Sequence, residues 1–452
     1  MSRLGALQER QFRLLWLGQT ASAIGDSVIF VALPFAVLQT GGGAAELGLV
    51  LAAFTLSRAS FIVVGGVWAD RLPRRLVMLA CDAIRAAVQA VVAVALLTDA
   101  MEVWMFVVTS AVFGAAQAFF GPASTGLVPE TISDSRLQQA NALLKVSEGS
   151  AYIVGPALSG ILVAALEPGW VYAFDSVSFV ASAVFLARLR LKPREPSPRQ
   201  RFVADLLDGA REAWSHIWLR VGFLGAAVVN AGIGVMVVLG PIVAAEELGG
   251  AAAWGVILTG GAIGGLLGGV LALRFTPRRP VPLAFVAWSL GSLPLLALVP
   301  PLPTLVIATT NVAFTFGIVY GNTIWETLQQ REIPAERLSR VNSFDWMVSL
   351  IFMPVGQALA GPLAEVVGTN TVLVGAALLI AVPCFAVLPL AGVRRGPTLA
   401  SPVASGSASG SPVPAPPDPL PSSPPTGSGG RPCRPRPSRR WPRRRWRPRP
   451  LR

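Results

Sequence analysis

"GGVWADRLPRR", Gly65 to Arg75, is an apolar run that stops at an acid and then places three arginines within five residues. Such a run reads as the end of a membrane span meeting a charged aqueous loop, and the rest of the chain agrees. Of its 452 residues 53% are hydrophobic and 13% charged, where a soluble domain carries about 25% charge. The net charge of +13 invites a nucleic-acid partner, but residues 396–452 hold eleven arginines against the single acid Asp418. The other 395 residues are close to neutral, so the basic balance describes the tail and no nucleic-acid partner is expected.

A bilayer core takes about 20 apolar residues per helix. Twelve stretches fit, near 14–38, 47–68, 76–98, 103–125, 144–166, 170–188, 219–245, 253–273, 281–299, 303–325, 341–364 and 368–391. The first has full spanning length and no small-residue cleavage site, so it reads as a helix and not as a removed signal. The connections sort by charge. Alternate loops contain only Glu46, Asp99, Glu102, Glu167, Glu246, Glu247 and Glu365, while the others carry Arg71, Arg74, Arg75, Arg136, the Arg188–Arg211 segment, Arg274 and Arg331. The positive-inside rule puts the arginine loops and both termini in the cytoplasm.

The longest internal connection divides the spans six and six. The expected domains are an N-terminal bundle (1–190), a linker (191–218) with a short amphipathic surface helix around Phe202 to Trp214, a C-terminal bundle (219–392), and a Pro/Ser/Arg-rich tail (393–452) with the composition of a disordered segment. The two halves repeat: "ISDSRLQQAN" (Ile132 to Asn141) matches "IPAERLSRVN" (Ile333 to Asn342) at an offset of 201, and Gly155 and Gly160 recur as Gly356 and Gly361. Six-helix halves repeated in one orientation are an architecture of secondary transporters, with the substrate site at the midplane between them.

Several functions are excluded. A single histidine (His216), three cysteines without metal spacing (Cys81, Cys384, Cys433) and no phosphate-binding G-x-x-x-x-G-K-[ST] loop leave neither a catalytic constellation, a metal, a cofactor nor direct use of ATP. Ionisable groups inside spans then mark function, since each costs at least about 2.5–3.5 kcal/mol to insert. Asp26 sits mid-span with Gln19 and Ser22 on its face, and Arg58 lies near the centre of span two as its candidate partner. Asp82, Arg85 and Gln89 share one face of span three, where Asp82 and Arg85 can form a static ion pair or belong to a coupling site. Glu148 is nearer the inner surface on span five, and Asp175 lies in the outer part of span six. Because the C-terminal spans hold no charge away from their ends, proton coupling is expected in the N-terminal half, through Asp26 or Glu148.

The opening stretch, with Gly66, Asp70, Arg71, Arg74 and Arg75 in a G-x-x-x-D-R-x-x-R-R pattern, resembles the cytoplasmic-loop motif of the major facilitator superfamily. "GPALSG", Gly155 to Gly160, resembles that superfamily's antiporter motif, and span one reads like the branch of the enterobactin exporter and macrolide efflux proteins. Pro73 replaces a usual glycine, Ser159 precedes Gly160 where paired glycines are usual, and span four lacks the arginine of many drug/proton antiporters. The resemblance covers residues 10–392. It implies an all-α integral membrane fold of twelve helices and a monomer in a bacterial cell membrane. The implied function is export of a small lipophilic compound (a drug, secondary metabolite or siderophore) by alternating access, with protons and membrane lipids as partners. It makes the loop motif a conformational switch that holds the halves together. Topology does not require Asp70, since acids contribute little to orientation, and it can meet the positive N-terminus of span eleven near Val341. Gly155, Pro156 and Gly160 become a helix-five interface that allows close packing. The alternative is a non-transporting membrane sensor or scaffold that uses its basic tail.

Overall fold

The computed structural model describes residues 5–191, 217–275, 277–333, 335–390 and 393. The side chains at 63, 64, 66, 67, 69–71, 335–337, 339, 340, 342–344 and 346–350 are not described, so the expected contacts of Gly66, Asp70 and Arg71 fall outside it. The expected linker helix and the basic tail also lie outside the described residues.

Six helices form the first half: α1 (Arg10–Gln39), α2 (Ala44–Arg71), α3 (Arg74–Leu97), α4 (Val103–Thr131), α5 (Leu137–Ala165) and α6 (Pro168–Ala187). The second half comprises α7 (Ile217–Val243), α8 (Ala251–Arg274), α9 (Pro280–Ser289), α10 (Ser292–Ala297), α11 (Thr304–Glu332), α12 (Ala335–Val367) and α13 (Thr369–Ala386). Among the described residues, 11 segments are long and apolar enough to cross a membrane, and α9 and α10 count together as one of them. The 33-residue α12 supplies the twelfth crossing.

Local chemistry sets the ends. Pro168 occupies the first turn of α6, where a missing N–H costs nothing. Glu46, expected in a loop, lies in the first turn of α2, and its Oε2 accepts the Gly43 N–H at 2.8 Å. Arg75 caps the other end of α6 by donating from Nε to the Leu186 carbonyl at 2.9 Å and from Nη2 to that of Ala187. The expected continuous ninth span is broken between Ser289 and Ser292. Pro294 cannot donate to the carbonyl of Leu290, and its ring crowds that carbonyl.

Within the halves α2 packs on α4, α3 on α6, α8 on α11 and α7 on α12; between them the main contacts are α5 on α8 and α12 on α2.

Candidate functional site: a cavity between the halves

The contacts between the halves lie at the end bearing the acidic loops and depend on glycine. A Cβ at Gly160 of α5 would stand 2.9 Å from the Ala251 carbonyl oxygen of α8, and one at Gly255 would stand 2.6 Å from that of Pro156. The second half mirrors this. A Cβ at Gly361 of α12 would stand 2.2 Å from Ala45 N of α2, and one at Gly48 would stand 2.3 Å from the Gln357 carbonyl oxygen. Real Cβ atoms do not come this close to backbone, so all four positions exclude a side chain in this state. Small residues allow such backbone-to-backbone packing in membranes, where no hydrophobic force brings helices together. The repeat thus builds two equivalent seals: Gly160 and Gly361 share the offset of 201, while Gly48 and Gly255 differ by 207. Gly155 serves the inside of its own half, where its missing Cβ admits Ser27 of α1, and the Ser159 hydroxyl beside it donates to the Val28 carbonyl.

Beneath the seals lies a cavity of about 1030 Å³. It reaches from Leu33, Leu51 and Phe106 near the sealed end to Val128, Asn141 and Lys145 at the arginine-loop end, where Asn141, Lys145 and Glu148 are exposed. Among the described residues the cavity is closed by the seals at the acidic-loop end, and its lining at the other end is exposed. Phe30, Phe54, Phe113, Phe120, Tyr152 and Trp254 make its walls aromatic, while Gln19, Gln117, Asn311 and Gln357 supply polar points. Asn311 is committed to the Ile257 carbonyl at 2.8 Å. Gln357 is only 2% exposed and its Oε1 has no partner among the described residues, nor has Gln19 Nε2. This is the mostly apolar, sparsely polar lining of a small-molecule site.

The charges fall into two groups. Asp26, Arg58 and Glu148 line the cavity; Asp82 and Arg85, expected with them, are fully buried behind its wall. The shared face of α3 explains this, because Asp82, Arg85 and Gln89 all point toward α1, α4 and α6. Arg85 donates to the Asp82 carboxylate and, at 2.8 Å, to Gln117 Oε1 of α4, and it lies 3.6 Å from Asp26 Oδ2. Its guanidinium carbon is 4.1 Å and 4.3 Å from the ring centres of Phe120 and Phe179. Two carboxylates, an amide and two aromatic faces surround this cation out of water, although its Nε and Asp82 Oδ2 have no hydrogen-bond partner among the described residues. Arg85, not Arg58, is thus the counter-ion that Asp26 meets. Gln89 donates to the buried Asp175, which also accepts from Ser178 at 3.2 Å. Glu148 pairs with Lys145 at 3.0 Å at the cavity mouth.

Of the loop-motif residues whose side chains are described, Arg74 donates to the Gly126 carbonyl and lies 3.2 Å from Glu130 Oε1 on α4. Arg75 is the α6 cap, so the described contacts of both arginines lie within the first half. Residues that sequence reasoning missed include Gly48 and Gly255 of the seals, and Gln117, Phe120 and Phe179 around Arg85. Gly48 and Gly255 fall outside the repeat offset of 201, which would pair Gly48 with Gly249 and Gly255 with Phe54, and no local pattern signals the second set.

Residues 15–352 match the profile of the Major Facilitator Superfamily. Among curated proteins, the chain is 28% identical over 407 residues to the multidrug efflux pump Tap of Mycobacterium tuberculosis, covering 84% of this chain and 94% of that one. It is 24% identical over 374 residues to macrolide efflux protein A of Streptococcus pyogenes, covering 80% and 91%. Among solved structures, the nucleoside transporter NupG superposes with a TM-score of 0.66 at 15% identity, covering 83% of this chain and 98% of that one. A bacterial homologue of the lysosomal transporter Spinster, inward-facing and unoccupied, gives 0.62 at 16% identity, covering 84% and 96%.

Proposed function

The chain belongs to the Major Facilitator Superfamily, and on that footing we propose that it exports a small lipophilic compound by rocking its two six-helix halves about the central cavity. It is a multi-pass membrane transporter and not an enzyme. The observation that carries the mechanism is the pairing of glycine seals at one end of the cavity with an open mouth at the other. If the arginine loops are cytoplasmic, as their charge asks, this state faces inward and collects its substrate from the cytoplasm or inner leaflet. Parting α5 from α8 and α2 from α12 would then release it outside. The efflux pumps among the relatives support the outward direction and a drug-like substrate, which the aromatic walls suit.

Asp26 is the coupling residue in this reading. Its side chain is 23% exposed and lines the cavity, with Arg85 beside it, so a proton from the cavity can reach it and loosen its hold on Arg85. Glu148, already paired at the exposed mouth, is the weaker candidate. Asp70 and Arg71 would engage the second half at the arginine-loop end when the acidic-loop end opens, while Arg74 and Arg75 stay with α4 and α6. The protein works as a monomer in the bacterial cell membrane with both termini cytoplasmic, the first bundle ending near residue 190 and the second spanning 219–392.

Deleting residues 396–452 separates this reading from that of a scaffold working through its basic tail. Cells lacking their own exporters should accumulate a lipophilic dye to the same reduced level with full-length and truncated protein. A truncation that abolishes the effect while the bundles remain in the membrane would favour the scaffold.

A further inference from the structure

Four charged residues line the cavity: Asp26, Arg58, Lys145 and Glu148. Lys145 and Glu148 hold each other at 3.0 Å, and Asp26 is turned to Arg85 at 3.6 Å. Arg58 is left over. It is exposed to the cavity and has neither a carboxylate within 4.0 Å nor a side-chain hydrogen bond among the described residues. By helix rise it stands roughly 20 Å from the acidic-loop end of α2, at the depth of Asp26 on α1. A guanidinium does not shed its proton to escape the cost of that position.

Its surroundings are built for an aromatic body beside the charge. Gly114 lets α4 approach α2 there: a Cβ at 114 would lie 2.4 Å from the Phe54 carbonyl oxygen and 3.3 Å from Arg58 N. Phe54, one turn before Arg58, and Phe113, next to Gly114, form a tilted ring pair with centres 6.2 Å apart, and both line the cavity. The planar donor fork of an arginine fits a carboxylate, sulfonate or phosphate two-pronged.

We propose that Arg58 binds an acidic group of the exported compound, so that the cavity prefers lipophilic organic anions carrying an aromatic ring over their uncharged counterparts. This rests on the export reading of the cavity. Substrate binding then supplies the contacting counter-charge that the described lining lacks, since Asp26 acts on Arg58 only from beyond 4.0 Å and is paired with Arg85.

Dansylglycine and dansylglycinamide test the idea, since they share an aromatic body and differ in one negative charge. Binding to full-length protein in nanodiscs of zwitterionic lipid is read by energy transfer from tryptophan, Trp254 being in the cavity wall. The wild type should bind the acid about tenfold or more tightly than the amide, the worth of a charge-assisted pair. Arg58→Gln should abolish that preference, and Arg58→Lys should keep part of it. Equal affinity for the two probes in the wild type, binding of neither, or a preference that survives Arg58→Gln would overturn the proposal. The wild-type comparison needs no variant to fold. Because binding is read without transport, a failure of export would sink the export reading alone.

Discussion

Replacing Gly361 by alanine should force the sealed end of the cavity apart. The added Cβ would lie 2.2 Å from Ala45 N and 2.3 Å from Ala45 Cα, where ordinary contact begins at 3.4 Å. Both obstacles are backbone, so α2 or α12 must retreat by roughly 1 Å; no side chain can swing aside. Overpacking of this kind costs about 1–3 kcal/mol. Only the sealed state bears that cost, so its population relative to the state open at this end should fall roughly five- to 150-fold. Spin labels on the exposed Leu49 and Glu365, in a background with Cys81, Cys384 and Cys433 replaced by alanine, report the separation of α2 and α12. The Gly361→Ala distance distribution should gain a longer component, and export should slow. Gly375→Ala on α13 is the control, because a Cβ there meets nothing within 4 Å. Wild-type distances in Gly361→Ala, or an equal change in Gly375→Ala, would refute the reasoning.

Arg85→Ala leaves the buried Asp82 carboxylate without its counter-ion and should destabilise the protein by about 3–5 kcal/mol, read as a lowered thermal-unfolding midpoint in detergent. Arg85→Met combined with Asp82→Leu should recover most of that loss; an additive loss in the double variant would contradict the buried-pair account. Asp70→Asn should impair transport while the protein still reaches the membrane, and wild-type efflux rates from it would remove Asp70 from the switch.

Hydropathy made the helices legible because each span must satisfy its own backbone in lipid. The twelve stretches therefore fall on α1 to α13 with ends shifted by a few residues, except where Pro294 divides the ninth. Charge spacing along one helix was legible too: Asp82, Arg85 and Gln89 do share a face. What that face meets was not. Asp26 reaches Arg85 across the gap from α1 to α3, and Arg58, the nearer residue in sequence, stays apart. The difference is tertiary, since the sequence carries no record of which way α2 turns its polar side. The glycines divide similarly. The repeat exposed Gly160 and Gly361 as equivalent positions, but that each faces the other half, while Gly155 faces α1, follows only from how the bundles meet.

Inverted membrane vesicles test the central claim most directly. A panel of lipophilic compounds, anionic and neutral, is offered outside with and without an acidic interior. At least one should accumulate inside, faster with the proton gradient, and Asp26→Asn should make its uptake indifferent to pH while the protein stays in the membrane. Accumulation of no compound under either condition would contradict the export account, and a wild-type pH profile in Asp26→Asn would take the proton away from Asp26.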